Sequence, residues 1–371
     1  MILLLLVILL FCCYAVLLIY YWYGWVSIPV DKLRVGSPVT KISVIIPARN
    51  EEENIGKLLK ALADQTYPRH LFEVVVIDDH STDATASIAG GFPGIRLMQL
   101  KEDGLNSYKK KAIEKGIGAA LHDWIVTTDA DCLPGPNWLS SIAAFKEEKN
   151  ALFIAAPVSI ACNATLLQVF QAMDFMILQA ITGAAVYKKV LSMCNGANIS
   201  YAKKAFYGVN GFDGIDNIAS GDDMLLMHKI SKQFPGGIHY LKSEEAIVST
   251  QAMKSWKTFF NQRIRWASKA RKYEDKRMLP VLLLVYLFNA SFLVLLVAGC
   301  WYSFYWYIFL VLWAAKTLVE IPLCWSAANF FDKKWALKLF FFFQPLHIFY
   351  TIISGLLGQK RNYEWKGRKV K

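Results

Sequence analysis

The chain has 371 residues, of which 55% are hydrophobic, and its formal charge is +12. Its mean hydropathy is +0.31, which excludes an ordinary soluble protein and indicates a membrane class. The positive charge suits Lys and Arg gathered on the cytosolic flanks of membrane segments, or attraction to anionic lipid or a diphosphate ligand. No zinc-ligand spacing, RNA-binding aromatic signature or long basic stripe runs through the polar part, so no nucleic-acid partner is expected. The odd count of seven cysteines includes no Cys-x-x-Cys pair, which argues for reduced structural thiols.

Residues 1–27 form an apolar run that ends in Tyr20, Tyr21, Trp22, Tyr23 and Trp25, long enough to cross a hydrocarbon core of ~30 Å. It reads as an anchor, since a cleaved leader would have a basic start and a small-residue cleavage site. The first charges, Asp31, Lys32, Arg34 and Lys41, follow it and place the next segment in the cytoplasm.

Between residues 40 and 252, β-branched runs alternate with helical patterns. Strands are expected over 42–48, 73–79, 95–100 and 124–131, with amphipathic stretches between them. That order predicts an α/β domain with right-handed crossovers and a mostly parallel sheet. Ligands bind beyond the carboxyl ends of such strands, where Asp78-Asp79 and Asp129-Ala130-Asp131 fall. The first strand leads into Pro-Ala-Arg-Asn-Glu rather than Gly-x-Gly-x-x-Gly, which argues against a dehydrogenase-type Rossmann domain.

Each acidic motif has two readings. In extended backbone, Asp129 and Asp131 point to one side and converge on a hard cation such as Mg²⁺ or Mn²⁺; alternatively they belong to a turn before Leu-Pro-Gly-Pro. Ser81 and Asp83 suit helix capping, which leaves Asp78 and Asp79 facing the crevice, and Asn50 to Glu53 suit a helix start. Ser220-Gly221-Asp222-Asp223 opens another helix, either as caps or with one carboxylate as a general base.

Segment 253–275 is aromatic and basic and suits a helix in the membrane interface. Gln262, Arg265 and Trp266 fall at i, i+3 and i+4 on one helix face, where Arg pairs with phosphate and Trp stacks on a sugar, or both serve as interfacial anchors. Apolar segments follow at about 279–301, 303–324 and 337–357, within a region 278–358, before a basic tail over 359–371. Three crossings would put Lys360, Arg361, Lys366, Arg368, Lys369 and Lys371 outside, against the positive-inside rule, so two to three spans are expected. The last segment, with Pro345 and His347, is the re-entrant or interfacial candidate.

The order of PARNEEENI, VVVIDDHSTD, TTDAD, CNGANISYAKKAFYGVNGFD, SGDD and QRIRW resembles the inverting family 2 glycosyltransferases with a GT-A fold, over roughly residues 40–270. The flanking apolar segments resemble its membrane-integrated branch of polysaccharide synthases and ceramide glucosyltransferase-like enzymes. The resemblance implies that Pro47, Ala48, Glu51, Asp78 and Asp79 hold the donor nucleoside, with Asp79 at the uracil or ribose. It sets Lys109 near the nucleotide, although its neighbouring lysines blur the register, and gives Asp129 and Asp131 a metal (Mg²⁺ or Mn²⁺) and the donor diphosphate. It puts Asn195, Gly196, Ala197 and Asn198 on the acceptor side, and makes Asp223 the catalytic base beside Asp222, which replaces the usual Glu. Gln262, Arg265 and Trp266 match its Gln-x-x-Arg-Trp element, which contacts the diphosphate and the acceptor end.

The implied reaction is single displacement from a nucleotide sugar, expected to be a UDP-sugar, at a cell membrane. A lipid or lipid-linked acceptor is favoured, because about four apolar segments are few for the polymer channel of a poly-N-acetylglucosamine or cellulose type synthase. An accessory membrane subunit could complete such a channel. A non-catalytic nucleotide-binding scaffold or transport component is the reading of another class, and such a protein has no need of Asp223 or the Asp129/Asp131 pair.

Overall fold

The computed structural model describes residues 2–33, 38–162, 165–190, 193–218, 221–268, 278–358, 363–365 and 368–370. Arg34, Ser220, residues 269–275 of the interfacial segment and Lys360, Arg361, Lys366 and Lys371 of the tail lie outside them. The chain forms two compact units: Ile28–Ala161, Ala185–Gln251 and Glu364–Lys371 make one, and Met1–Ser27, Cys162–Ala184 and Ala252–Tyr363 the other.

The first unit is built from β1 (Ile42–Ala48), α2 (Ile55–Ala63), β2 (Phe72–Asp78), α3 (Thr85–Gly91), β3 (Ile95–Gln99), α4 (Tyr108–Ala119) and β4 (Trp124–Thr127). There follow β5 (Cys132–Pro134), α5 (Trp138–Lys149), β6 (Phe153–Ala155), β7 (Val158–Ile160), β8 (Ile199–Ala202), α7 (Lys203–Gly208), α8 (Met224–Gln233), β9 (Ile238–Tyr240) and β10 (Val248–Thr250). Seven strands lie in the order β3-β2-β1-β4-β8-β6-β9, and β5-β10-β7 form a smaller sheet. From β3 to β4 the pairing is parallel, with Ala48 opposite Asp78 and Ile45 opposite Thr127. Strand β8 runs antiparallel to both β4 and β6.

Central strands of a parallel sheet are covered on both faces and read as continuous apolar runs. Val44, Ile45 and Ile46 on β1 and Val75, Val76 and Ile77 on β2 are accordingly buried. Helix α4 packs on this face through Gly116, where a Cβ would meet Ile45 Cγ2 at 2.5 Å and Ile77 Cδ1 at 2.7 Å. That contact fixes the start of α4, and with it Lys109, at the carboxyl edge of the sheet.

The structure corrects the expected fourth strand. It ends at Thr127, and the Cys132 amide donates to the Asp129 carbonyl at 3.1 Å, so residues 129–132 form a turn. The chain must leave here because Cys132–Pro134 pairs with β10 in the smaller sheet. Asp129 and Asp131 therefore do not share the extended backbone that would align their carboxylates.

The second unit contains α1 (Ile2–Ser27), most of α6 (Leu166–Tyr187), α9 (Trp256–Ser268), α10 (Met278–Gly299), α11 (Phe304–Phe330) and α12 (Phe340–Leu357). Among the described residues, five helical stretches are long and apolar enough to cross a membrane, one of them Lys334–Leu357, which includes α12. The expected apolar segments correspond to α1, α10, α11 and α12, whereas α6 was not foreseen. Its apolar window is 83% buried within the protein.

Two polar clusters sit inside this unit. Lys316 Nζ donates to Glu320 Oε1 at 2.6 Å, one turn away on α11, and to Gln344 Oε1 at 2.5 Å on α12. Tyr14 of α1 and the Gln344 amide donate to the same Glu320 carboxylate. In the other cluster, Arg263 Nη2 of α9 donates to Asp174 Oδ2 of α6 at 2.6 Å, with both side chains 4% exposed. Tyr350 of α12 donates to Asp174 Oδ1 at 2.5 Å. Charged groups among apolar helices are tolerated only when paired in this way.

Candidate active site

At the carboxyl edge of the sheet, the loops after β1 and β2 are stitched together. The Asn50 amide donates to Ser81 Oγ at 3.0 Å and the Thr82 amide to Asn50 Oδ1 at 2.8 Å. Glu51 donates its amide to Thr85 Oγ1 at 2.7 Å, while its carboxylate accepts from Asn54 Nδ2 at 2.8 Å. Asp83 Oδ1 takes the Thr85 amide at 3.0 Å, so capping is what Asp83 does. Asn50 and His80 both adopt left-handed backbone, with φ of 49° and 54°. Asn tolerates that region better than most residues.

Asp78 and Asp79 are buried where this edge meets Ala48, whose carbonyl accepts the Asp79 amide at 2.7 Å. Asp79 Oδ1 lies 2.9 Å from His80 Nδ1, and Arg49 Nη1 donates to the Asp79 carbonyl at 2.9 Å. Asp78 Oδ1 is buried and makes no hydrogen bond among the described residues. A buried polar atom in this state is rare and calls for an explanation such as a ligand.

Four segments meet a short distance away. Lys109 Nζ lies 2.6 Å from Asp129 Oδ1 and 3.0 Å from Asp222 Oδ2. Gly196 stands beside them: a Cβ there would fall 3.0 Å from Asp222 Oδ2 and 3.4 Å from Lys109 Nζ. The Gly196 amide donates to Asp223 Oδ2 at 3.0 Å, and Asp223 Oδ1 caps α8 by accepting the Met224 amide at 2.7 Å. Gly221 delivers the two acids with a φ of 83°, and a Cβ there would lie 2.9 Å from Leu225 Cδ1. Glycine alone admits that turn without strain.

The ambiguity among the three lysines resolves in space. Lys110 is buried and donates to the carbonyls of Ile215 at 2.5 Å and Ile218 at 2.7 Å, and Lys111 pairs with Glu114 at 2.8 Å. Lys109 reaches the acids. Burial opposes its charged form, but Asp129 and then Asp222 outweigh this and hold its pKa well above the ordinary lysine range. It is therefore an ammonium throughout the neutral range.

Among the described residues, no three His, Cys, Asp or Glu side chains gather as a metal centre. The oxygens of Asp129 and Asp222 nevertheless fit a hard divalent cation, since they already hold the Lys109 ammonium between them. Asp131 Oδ1 faces the Cys132 thiol at 3.6 Å. Burial, then Asp131 and Asp129, push that thiol's pKa well up, which leaves Cys132 without nucleophilic character.

The Asn195–Asn198 segment divides between site and core. Asn195 Oδ1 accepts the Ala197 amide at 3.0 Å and so shapes the turn that presents Gly196. Asn198 is a buried strut: it accepts from Trp138 Nε1 at 3.0 Å and donates to the carbonyls of Pro157 at 2.8 Å and Ala246 at 2.7 Å. Pro47 and Ala48 are the last residues of β1.

Gln262, Arg265 and Trp266 lie on α9 in the other unit. There Trp266 packs over the guanidinium of Arg263, with 4.3 Å from Cζ to the ring centre. Sequence reasoning passed over Arg263 and Asp174. The available signal was a lone Asp inside the apolar run 166–187.

Residues 43–209 match the family model described as Glycosyl transferase family 2. A probable glycosyltransferase of Bacillus subtilis (strain 168), YdaM, is 26% identical over 234 residues, covering 61% of this chain and 54% of its own length. The dodecaprenyl-phosphate galacturonate synthase of Rhizobium johnstonii is 31% identical over 116 residues, covering 29% of this chain and 33% of its own. The chain thus spans about half the length of the first relative and a third of the second. In fold it is similar to the mannosyltransferase PcManGT from Pyrobaculum calidifontis, solved in complex with GDP-Man and Mn²⁺, with a TM-score of 0.57, 19% identity and coverage of 95% and 99% of the two chains. Residues 43–209 thus form a glycosyltransferase family 2 domain, and the fold is GT-A.

Proposed function

We propose that the protein is a membrane-bound inverting glycosyltransferase that moves a sugar from a nucleotide-diphosphate donor to a lipid or lipid-linked acceptor, with its catalytic domain on the cytoplasmic side. The observation that carries this reading is the convergence of Lys109, Asp129, Asp222 and Asp223 at the carboxyl edge of the sheet. The lipid acceptor draws support from the five apolar helices and from the relative named for dodecaprenyl phosphate.

The donor nucleoside occupies the edge formed by Pro47, Ala48, Glu51, Asp78 and Asp79. The unpaired Asp78 Oδ1 there awaits a donor group, and a base or ribose N–H or O–H supplies one. Lys109 and Asp129 lie toward the diphosphate. A divalent Mg²⁺ or Mn²⁺ would be held by Asp129, with Asp131 as the second acid of its motif, and would neutralise the leaving diphosphate. The resemblance of Gln262, Arg265 and Trp266 to the Gln-x-x-Arg-Trp element assigns them to the donor diphosphate and the acceptor end.

The acceptor hydroxyl attacks the anomeric carbon and gives its proton to Asp223. The bond from that carbon to the diphosphate oxygen breaks, its electron pair stays on the oxygen, and the nucleotide diphosphate leaves. One displacement inverts the anomeric configuration. The Gly196 and Met224 amides hold the Asp223 carboxylate in place.

The test is purified protein in lipid vesicles with UDP- or GDP-sugars and Mn²⁺, with release of the nucleotide diphosphate followed. Release that Asp223→Asn abolishes while nucleotide binding persists supports the reading. Failure of the wild type to bind either nucleotide overturns it, and mass spectrometry of the lipids identifies the acceptor.

A further inference from the structure

We infer that Lys109 is a built-in counter-cation, which keeps the acidic site closed to free divalent metal until the donor diphosphate draws the ammonium away, so that metal and nucleotide sugar enter together. The inference rests on the proposed glycosyltransferase reading for the nature of the donor, and on geometry for the rest. The ammonium sits 2.6 Å from Asp129 and 3.0 Å from Asp222, the contact distances of a cation bound between two carboxylates. It lies against Asp129 Oδ1, an oxygen that a metal on Asp129 would compete for.

The surroundings hold Lys109 in this place. Its neighbour Lys110 is pinned to the carbonyls of Ile215 and Ile218, in the segment that leads to Asp222, so the start of α4 and the acids are tied together. Asp131, the other acid of the motif, is turned toward Cys132. The ammonium thus offsets one of the negative charges gathered here, and the described residues offer a free divalent ion no set of three ligands. A diphosphate changes the balance: its oxygens compete with Asp129 for the ammonium, and an uncovered Asp129 is then open to metal.

The experiment measures Mn²⁺ binding to the full chain in detergent, by electron paramagnetic resonance, without nucleotide and with UDP or GDP. Wild type is expected to bind Mn²⁺ weakly until nucleotide is added. Lys109→Met should bind Mn²⁺ alone more tightly, by roughly tenfold or more, the scale of a lost charge-assisted hydrogen bond, and lose most of the enhancement by nucleotide. Lys109→Arg, which keeps the charge, should behave as wild type. Lys109→Gln reads the same quantity if the Met variant does not fold. Unchanged or weaker Mn²⁺ affinity in a folded neutral variant overturns the inference. If wild type binds neither nucleotide, the glycosyltransferase reading fails, while the nucleotide-free comparison still judges the counter-cation.

Discussion

The Gly196 amide donates to Asp223 Oδ2 at 3.0 Å, which ties the loop before β8 to the first turn of α8. A general base contributes typically ~10²–10⁴-fold to rate. Asp223→Asn should therefore lower nucleotide release from a sugar donor by at least roughly a hundredfold, and equilibrium nucleotide binding should stay near wild type. Release at the wild-type rate would remove Asp223 as the base.

Gly196→Ala probes the same joint from the other side. The new Cβ would lie 3.0 Å from Asp222 Oδ2 and 3.5 Å from Asp223 Cβ, so the acids must shift by a few tenths of an ångström. We expect the melting temperature to stay within a few degrees of wild type while turnover falls about tenfold or more, since small misplacements of reacting groups are costly. Scanning fluorimetry and nucleotide release on one preparation separate the two effects.

Arg263 and Arg265 should part company. Removing one partner of a buried ion pair costs about 3–5 kcal/mol, so Arg263→Met should lower the melting temperature sharply in detergent. Asp174→Leu combined with Arg263→Met should recover much of that loss, because no charge is then stranded. Arg265→Ala should leave the melting temperature near wild type and reduce nucleotide release. If Arg263→Met left stability unchanged, the pair would have no structural role.

Burial lowers the pKa of Lys242, whose carbonyl accepts the Asp31 amide at 2.8 Å, from 10.5 to about 8. Below pH 8 the folded and unfolded chains both carry the charge, and this group leaves stability independent of pH. Between about 8 and 10.5 the unfolded chain keeps a proton that the folded chain has released, so this group makes stability rise with pH. Any melting advantage of Lys242→Met over wild type should shrink between about pH 8 and about pH 9.5. An advantage that grew with pH would contradict this assignment.

The strands that carry the acidic edge were legible because their signals are local. Apolar runs 42–48, 73–79 and 95–100 fall within a residue of β1, β2 and β3, and the acids after them follow from strand periodicity. The end of β4 was not legible, because its stop is set by a partner strand, Val248–Thr250, far along the chain. Lys109 could not be told from Lys110 and Lys111 until α4 was docked through Gly116. Likewise α6 reads as an ordinary apolar helix, and the partner of its Asp174 lies 89 residues away.

The two charge pairs of the helical unit differ in how the chain can reach them during synthesis. Lys316 and Glu320 stand one turn apart on the same helix, so α11 carries its own counter-ion, and α1 and α12 bring only a hydroxyl and an amide to it. That helix can leave water before its neighbours arrive. Asp174 and Arg263 are on different helices, with α6 made well before α9. Until Arg263 emerges, α6 carries Asp174 without its counter-ion, so final docking of this helix waits on the segment that also bears Gln262, Arg265 and Trp266.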